Sequence, residues 1–376
     1  MEVWYDKKVR SEILGRRGCT LNTKVVKVDR DHPDQEKING AGEILKQGGL
    51  VAFPTETVYG LGGDGLNASS SEKIYAAKGR PSDNPLIIHI ADMESLAGIV
   101  KEVPKKAVQL AGEYWPGPLT MIFQKNDRVP YETTGGLESV AVRMPSHPVA
   151  KALIQAGGGY IAAPSANTSG RPSPTRAEHV EEDLSGRIDM ILDGGEVEIG
   201  LESTIVDFTS ETPVILRPGY ISEEMICRVI GEVSMDKGLL ITDASVKPKA
   251  PGMKYRHYAP KAGLTIVQGN EKLVTEYINS QCKSLEAKGQ RAGVICTDED
   301  RELYDAAVVK SIGTREDEEG IARHLFGILR AFDEEDVTCI FSEAFDTPQM
   351  GQAIMNRLLK AAGHHIIYLE EKEENQ

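Results

Sequence analysis

At 376 residues the chain is longer than one ordinary core sustains, so two domains are expected. Hydrophobic residues make up 40% and charged residues 27%, as in soluble globular proteins, and no run of eighteen apolar residues suggests a membrane-spanning helix. The net charge of −14 divides unevenly, −4 over residues 1–261 and −10 over 262–376, which argues against generic nucleic-acid affinity but leaves room for a local basic pocket.

In chain order, the start "MEVWYDKKVRSEILGRRGCT" is charged throughout and lacks an apolar segment before a cleavage site, so a cytoplasmic location is expected. "INGAGEILKQGG" reads as a helix ending at Gly48, "GLVAFPTET" as a strand, and "SSEKIYAAKGR" as a helix with a serine cap. "NPLIIHI" is a strand, "AVQLAGEYWPG" a helix stopped by Pro116, and "PLTMIFQ" and "SVAVRMP" are strands. Residues 243–261, "DASVKPKAPGMKYRHYAPK", hold three prolines and no hydrophobic period. They mark a linker, and the charge shift coincides with it. The expected division is a catalytic domain over 1–242 (motif core about 35–225), a linker or lid over 243–261, and an acidic α/β domain over 262–376. In that last part the β-branched runs "GLTIVQG", "RAGVICTD", "AAVVKSIG", "VTCIFSEAF" and "HHIIYLE" alternate with helical patterns such as "EGIARHLFGILRAFDEE" and "GQAIMNRLLKAAG". Such alternation predicts a small parallel sheet.

The chemistry is concentrated in loops. "PTETVYGLGGDG" places Thr55, Glu56, Thr57 and Tyr59 at a strand end, ahead of a glycine patch. Gly60, Gly62 and Gly65 match the dinucleotide fingerprint G-x-G-x-x-G, but six residues separate the strand from the first of them, so the fit is poor. Lys78 and Arg80 in "AAKGRPSDNPL" share one side if the backbone is extended. They are either a solvated helix end or a phosphate clamp. Arg143 and Arg217 stand at strand ends, and "APSANTSGRPSPT" supplies hydroxyls and amides from a turn-rich loop. No G-x-S-x-G, Walker loop or helical His pair is present. Five scattered cysteines, Cys19, Cys227, Cys282, Cys296 and Cys339, form no C-x-x-C pair. The chain is therefore equipped to hold anionic, polar ligands and to work by positioning and charge neutralisation, as in nucleotidyl transfer.

Taken together and in order, "PTETVYGL", "KGRP..NPL", "VAVRMP", "APSANTSG", "STIVD", "RPG" and "YRHYAP" closely resemble the threonylcarbamoyl-AMP synthases in their two-domain form. The resemblance runs motif by motif over roughly residues 35–261, and by size, acidity and position only beyond that. It implies a YrdC-like twisted mixed sheet with a concave groove, followed by a small Rossmann-like parallel-sheet domain. It further implies condensation of L-threonine, bicarbonate or carbon dioxide, and ATP into threonylcarbamoyl-AMP, with release of pyrophosphate. The product would pass to transfer machinery acting on position 37 of tRNA, with weak or no direct tRNA binding and no membrane. The residues carried over are Thr57, His89, Arg143, Ala163 and Ser203 for threonine, Arg143 gripping the carboxylate fork to fork. Arg80, Asn84, Ser139, Ser165, Ser173, Arg217, Tyr255, Arg256 and His257 are carried over for ATP, with Lys78 and Arg80 neutralising phosphate. Tyr255 to Tyr258 would close over the nucleotide. No dedicated metal cage is apparent, so Mg²⁺ is expected to arrive on ATP. Two other readings are a carbamoyltransferase of the hydrogenase-maturation type, whose cysteine-rich motifs are absent here, and a non-enzymatic RNA-binding module.

Overall fold

The computed structural model describes residues 21–236, 257–345 and 347–370. Most of the expected linker, Tyr255 and Arg256 included, lies outside the described residues, as does Cys19.

Two sheets organise the described chain. The first comprises β1 (Lys24–Lys27), β2 (Val51–Pro54), β3 (Tyr59–Asp64), β4 (Ile87–His89), β5 (Leu119–Gln124), β6 (Ser139–Arg143), β7 (Ile161–Ala162), β8 (Met190–Asp193), β9 (Thr204–Asp207), β10 (Val214–Arg217) and β11 (Ser234–Met235). They lie in the order β1-β8-β2-β3-β7-β4-β6-β5-β9-β10-β11, with parallel and antiparallel pairs mixed. The second comprises β12 (Gly263–Gly269), β13 (Ala292–Cys296), β14 (Val308–Ser311), β15 (Cys339–Glu343) and β16 (Ile366–Leu369). All are parallel, in the order β14-β13-β15-β12-β16. The mixed α/β sheet and the separate parallel sheet are the architecture that the sequence implies. Among the described residues no helix is long and apolar enough to cross a membrane.

Local chemistry explains the elements that carry the site. Helix Ala68–Lys78 starts at Asn67, whose side chain accepts from Ser69 N, so the cap is an asparagine and not the serine that the sequence suggested. It stops at Gly79, whose φ of 63° is left-handed. Lys78 therefore ends a helix, and the extended backbone supposed for Lys78 to Arg80 is not what forms. The glycines after Tyr59 also differ from expectation. Gly60 and Gly62 lie within β3 and make no tight turn. A Cβ on Gly62 would stand 2.9 Å from Ile161 Cγ2 and 3.0 Å from Phe53 Cε1, so close packing selects glycine there.

The two sheets share a core. Val58 and Leu201 from the first, and Tyr258 after the linker, pack in one apolar cluster with Ile321, Leu325, Phe326 and Leu358 from the second. Around it run buried ion pairs. Arg330, on helix Glu318–Ala331, donates to both carboxylate oxygens of Asp183 (3.2 and 2.9 Å) and to Pro172 O. At Gly200 (φ 81°) a Cβ would meet Arg323 Cα at 2.4 Å, so the backbones of the two halves touch.

Candidate active site

β2 and β3 are joined by a four-residue turn, residues 55–58, with Pro54 opposite Tyr59. The turn is wired internally. Thr55 Oγ1 donates to Val58 O at 2.7 Å and accepts from Thr57 N at 3.2 Å. Thr57 Oγ1 lies 2.9 Å from Thr55 Oγ1 and accepts from Arg143 Nη1 at 2.8 Å. Arg143 reaches it from the end of β6, where it pairs with Thr120 of β5 and His89 of β4. Its Nη2 forms an ion pair with Glu56 at 2.8 Å, and its Nε donates to Gly117 O at 3.3 Å. In this conformation the guanidinium expected to grip a substrate carboxylate is bonded to Thr57 and ion-paired with Glu56. Burial, and then the Arg143 cation, push His89 down to about 3, so its imidazole is neutral.

A second group closes the pocket from the other side. Lys78 is buried and donates to Ser165 O, Asn167 O and Asn167 Oδ1. Burial and the nearby Arg80 hold its pKa well below the ordinary lysine value. Arg80 donates to Asn84 O at 3.2 Å and Pro85 O at 3.0 Å. Arg217, at the end of β10, donates to Ser203 O at 2.9 Å and Ser203 Oγ at 3.1 Å. Buried Glu202 precedes Ser203. Its Oε1 accepts from Ser173 Oγ at 2.6 Å.

One pocket is lined by Thr57, Lys78, Arg80, His89, Arg143, Ala163, Ser165, Ser203, Arg217 and His257, ten of the residues proposed from sequence. Ser173 stands behind its wall, joined through Glu202. Asn84 is buried beside Arg80, and its Oδ1 finds no hydrogen-bond partner among the described residues. Ser139 is at the far end of β6 from Arg143, outside the lining. Tyr255 and Arg256 lie outside the described residues. The sequence reading gave no role to Glu202, which lines the pocket, or to Glu56, which pairs with Arg143 beside it. A carboxylate in a loop ordinarily reads as solvated, and only their pairing with arginines separates them from that reading.

His257 and Tyr258 cover the opening. The Tyr258 ring packs at 4.9 Å, tilted by 31°, against Phe326 of the second domain. The cavity volume is about 60 Å³, against about 300–1,000 Å³ for small-molecule sites. Glu56 and Glu202 are each committed to an arginine. No group of three His, Cys, Asp or Glu among the described residues is placed to hold a metal ion. These residues do not fit an all-protein Mg²⁺ cage.

The pocket is thus a cation-rich, polar-lined site under an aromatic cover, assembled from the motif loops. The Sua5/YciO/YrdC family model, described as telomere recombination, matches residues 43–219. The model described as threonylcarbamoyl-AMP synthase, C-terminal domain, matches residues 221–363. A Bacillus subtilis threonylcarbamoyl-AMP synthase is 49% identical over 332 residues, covering 88% of this chain and 94% of the relative. The chain belongs to the threonylcarbamoyl-AMP synthase family. Within that family, a solved structure of Pyrococcus abyssi Sua5 complexed with L-threonine superposes with a TM-score of 0.88 at 45% identity. It covers 93% of this chain and all of that one. Shorter family members also exist. The Halorhodospira halophila threonylcarbamoyl-AMP synthase is 37% identical over 158 residues, which is 83% of that relative but 42% of this chain.

Proposed function

We propose that this chain condenses L-threonine, bicarbonate or carbon dioxide, and ATP into threonylcarbamoyl-AMP, releasing pyrophosphate. The product then serves threonylcarbamoyl transfer to position 37 of tRNA. The observation that carries this reading is the convergence of Lys78, Arg80, Arg143 and Arg217 on one buried pocket that also holds the Thr57 and Ser203 hydroxyls. Such a cluster is costly in an empty pocket and suits an anionic, polyoxygenated ligand.

In this reading the amine nitrogen of threonine, as the free base, attacks carbon dioxide and loses a proton. One carbamate oxygen then attacks the α-phosphorus, and the bond to pyrophosphate breaks. The neutral His89 is a poor base and serves as a wall of the threonine pocket, beside Ala163. The threonine carboxylate approaches Arg143 by displacing Glu56 or joining it. Arg80 and Arg217 face the phosphates, with Ser165 and Asn84 on the nucleotide side. Lys78, held by three carbonyl oxygens, fixes the loop 165–167 as well as adding charge. The cover formed by His257 and Tyr258 excludes water once ATP is seated, protecting the carbamate and strengthening each charge contact. The cavity of about 60 Å³ is too small for ATP, so the pocket widens as ATP is seated. Mg²⁺, in this proposal, comes coordinated to the ATP phosphates, and no step here is routed through it.

The deciding assay is pyrophosphate release by the purified chain. Release that requires both L-threonine and bicarbonate is the expected result. Release that depends instead on carbamoyl phosphate would assign the carbamoyltransferase reading, and none with either would leave a binding module.

A further inference from the structure

One side chain of the second domain reaches into the site described above without touching the cavity. Arg357, on helix Gly351–Ala361, is fully buried. Its Nε donates to Glu202 Oε2 at 2.8 Å and its Nη2 to Glu202 O at 3.2 Å, while its Nη1 donates to Asn356 Oδ1 at 2.9 Å. The other oxygen of Glu202 holds Ser173. Glu202 is therefore gripped from behind by one domain and faces the pocket of the other.

We propose that Arg357 is a positioning residue for the reaction: it neutralises Glu202 from the far side, so that Arg217 stays on Ser203 and faces the nucleotide instead of turning toward that carboxylate. The inference rests on the reading of this pocket as the ATP site. The groups around Glu202 make the argument specific. Arg217 comes from β10, Ser173 from the loop before helix Ala177–Leu184, Tyr258 from the residues after the linker, and Lys360 from the Arg357 helix. Lys78 and His257 stand farther off in the same field. Without Arg357, Arg217 becomes the strongest cation left to Glu202, and Arg217 also orders Ser203. Burial raises the Glu202 pKa, yet Arg357 and then Arg217, with Ser173, hold it down at about 2. The carboxylate is thus ionised across the working range only because it is countered. Arg357 touches Glu202 and does not line the cavity, so it acts through Glu202 and not as a reacting group.

The test compares steady-state pyrophosphate release by the full-length wild type, Arg357→Met, Arg357→Lys and the double variant Arg357→Met/Glu202→Gln. Fold is checked by circular dichroism and melting temperature. For Arg357→Met the expected result is a KM for ATP raised about tenfold, the effect of one uncompensated charge at short range in a partly screened site, with the KM for threonine unmoved. Its KM for ATP should fall, relative to the wild-type profile, as pH is lowered from 8 to 5.5. That trend follows because burial pushes Glu202 upward once Arg357 is gone, and because the neighbouring Lys360, held down to about 7 chiefly by burial, takes up its proton in that window; both remove the excess negative charge. The double variant should recover most of the loss, and Arg357→Lys should lie between. A folded Arg357→Met with an unchanged KM for ATP overturns the proposal, as does an equal rise in both KM values without the pH trend. If Arg357→Met does not fold, Arg357→Lys carries the decision by the same split between the two KM values. Wild-type turnover with ATP and threonine separately tests the underlying reading, so the two failures are distinguishable.

Discussion

Glu56 and Arg143 form the tightest decision in the site. Both side chains are almost fully buried and 2.8 Å apart, so neither can lose its partner cheaply. Neutralising the acid by Glu56→Gln leaves the guanidinium short of a counter-charge. We expect a lower melting temperature without ligand, and a larger rise on adding L-threonine than the wild type shows, read by thermal denaturation. An equal rise in both proteins would mean that the amino-acid carboxylate does not use Arg143. Arg143→Lys keeps the charge but loses the fork. It should lower kcat/KM for threonine about tenfold to hundredfold, the worth of one charge-assisted hydrogen bond. The sequence made Thr57 and Arg143 legible because a hydroxyl-rich turn and an arginine closing a strand are patterns carried along the chain. It could not show that they bond to each other, since 86 residues separate them. Nor could it show that Glu56 already fills the fork, because ion pairing across strands is a property of the sheet order.

At the level of elements, β3 illustrates how a motif can mislead. Gly60 and Gly62 begin a nucleotide-binding spacing, yet they serve close packing against Phe53, joined at Gly62 by Ile161. A methyl group at position 62 has to displace one of those side chains. Gly62→Ala should therefore cost about 1–3 kcal/mol in urea unfolding, with a loss of activity from the shifted turn 55–58. A stability within error of wild type would show that Phe53 moves freely and that the packing account is wrong. The strands of the second sheet were readable because buried parallel strands are short β-branched runs. The Asn67 cap was missed because serine and asparagine cap almost equally well, and the sequence offers both within four residues. The helical end at Lys78 was half legible. Glycine after it signals a stop, but the inward turn of the ammonium toward Ser165 and Asn167 depends on a loop far along the chain.

Across the whole molecule, burial leaves an acid-sensitive signature. His89, His179 and His257 are pushed down to about 3 and His147 to about 4, each chiefly by burial and then by a nearby arginine. As pH falls below the unfolded histidine value near 6.5, the unfolded chain takes up protons that the folded chain refuses. Stability is therefore lost on the acid side, by about 1 kcal/mol per histidine per pH unit. Glu202 works in the same direction at lower pH. Its folded value of about 2 lies below the unfolded one, so its contribution fades as pH drops beneath about 4.5. Melting temperatures measured at pH 7.5, 6.5 and 5.5 should fall steadily below 6.5, and a flat or rising series would mean that these imidazoles charge without penalty. The contact at Gly200 reaches further than thermodynamics. There the main chain of one half rests on the main chain at Arg323 of the other, so no side chain stands between them to absorb a mismatch. For inheritance this means that the halves are not exchangeable parts. A chimera joining residues 1–236 of this protein, Gly200 included, to the second half of a distant relative would need a helix of matching pitch at the position of Arg323. Recombination within the gene is thus steered toward keeping both ends of that contact from one parent.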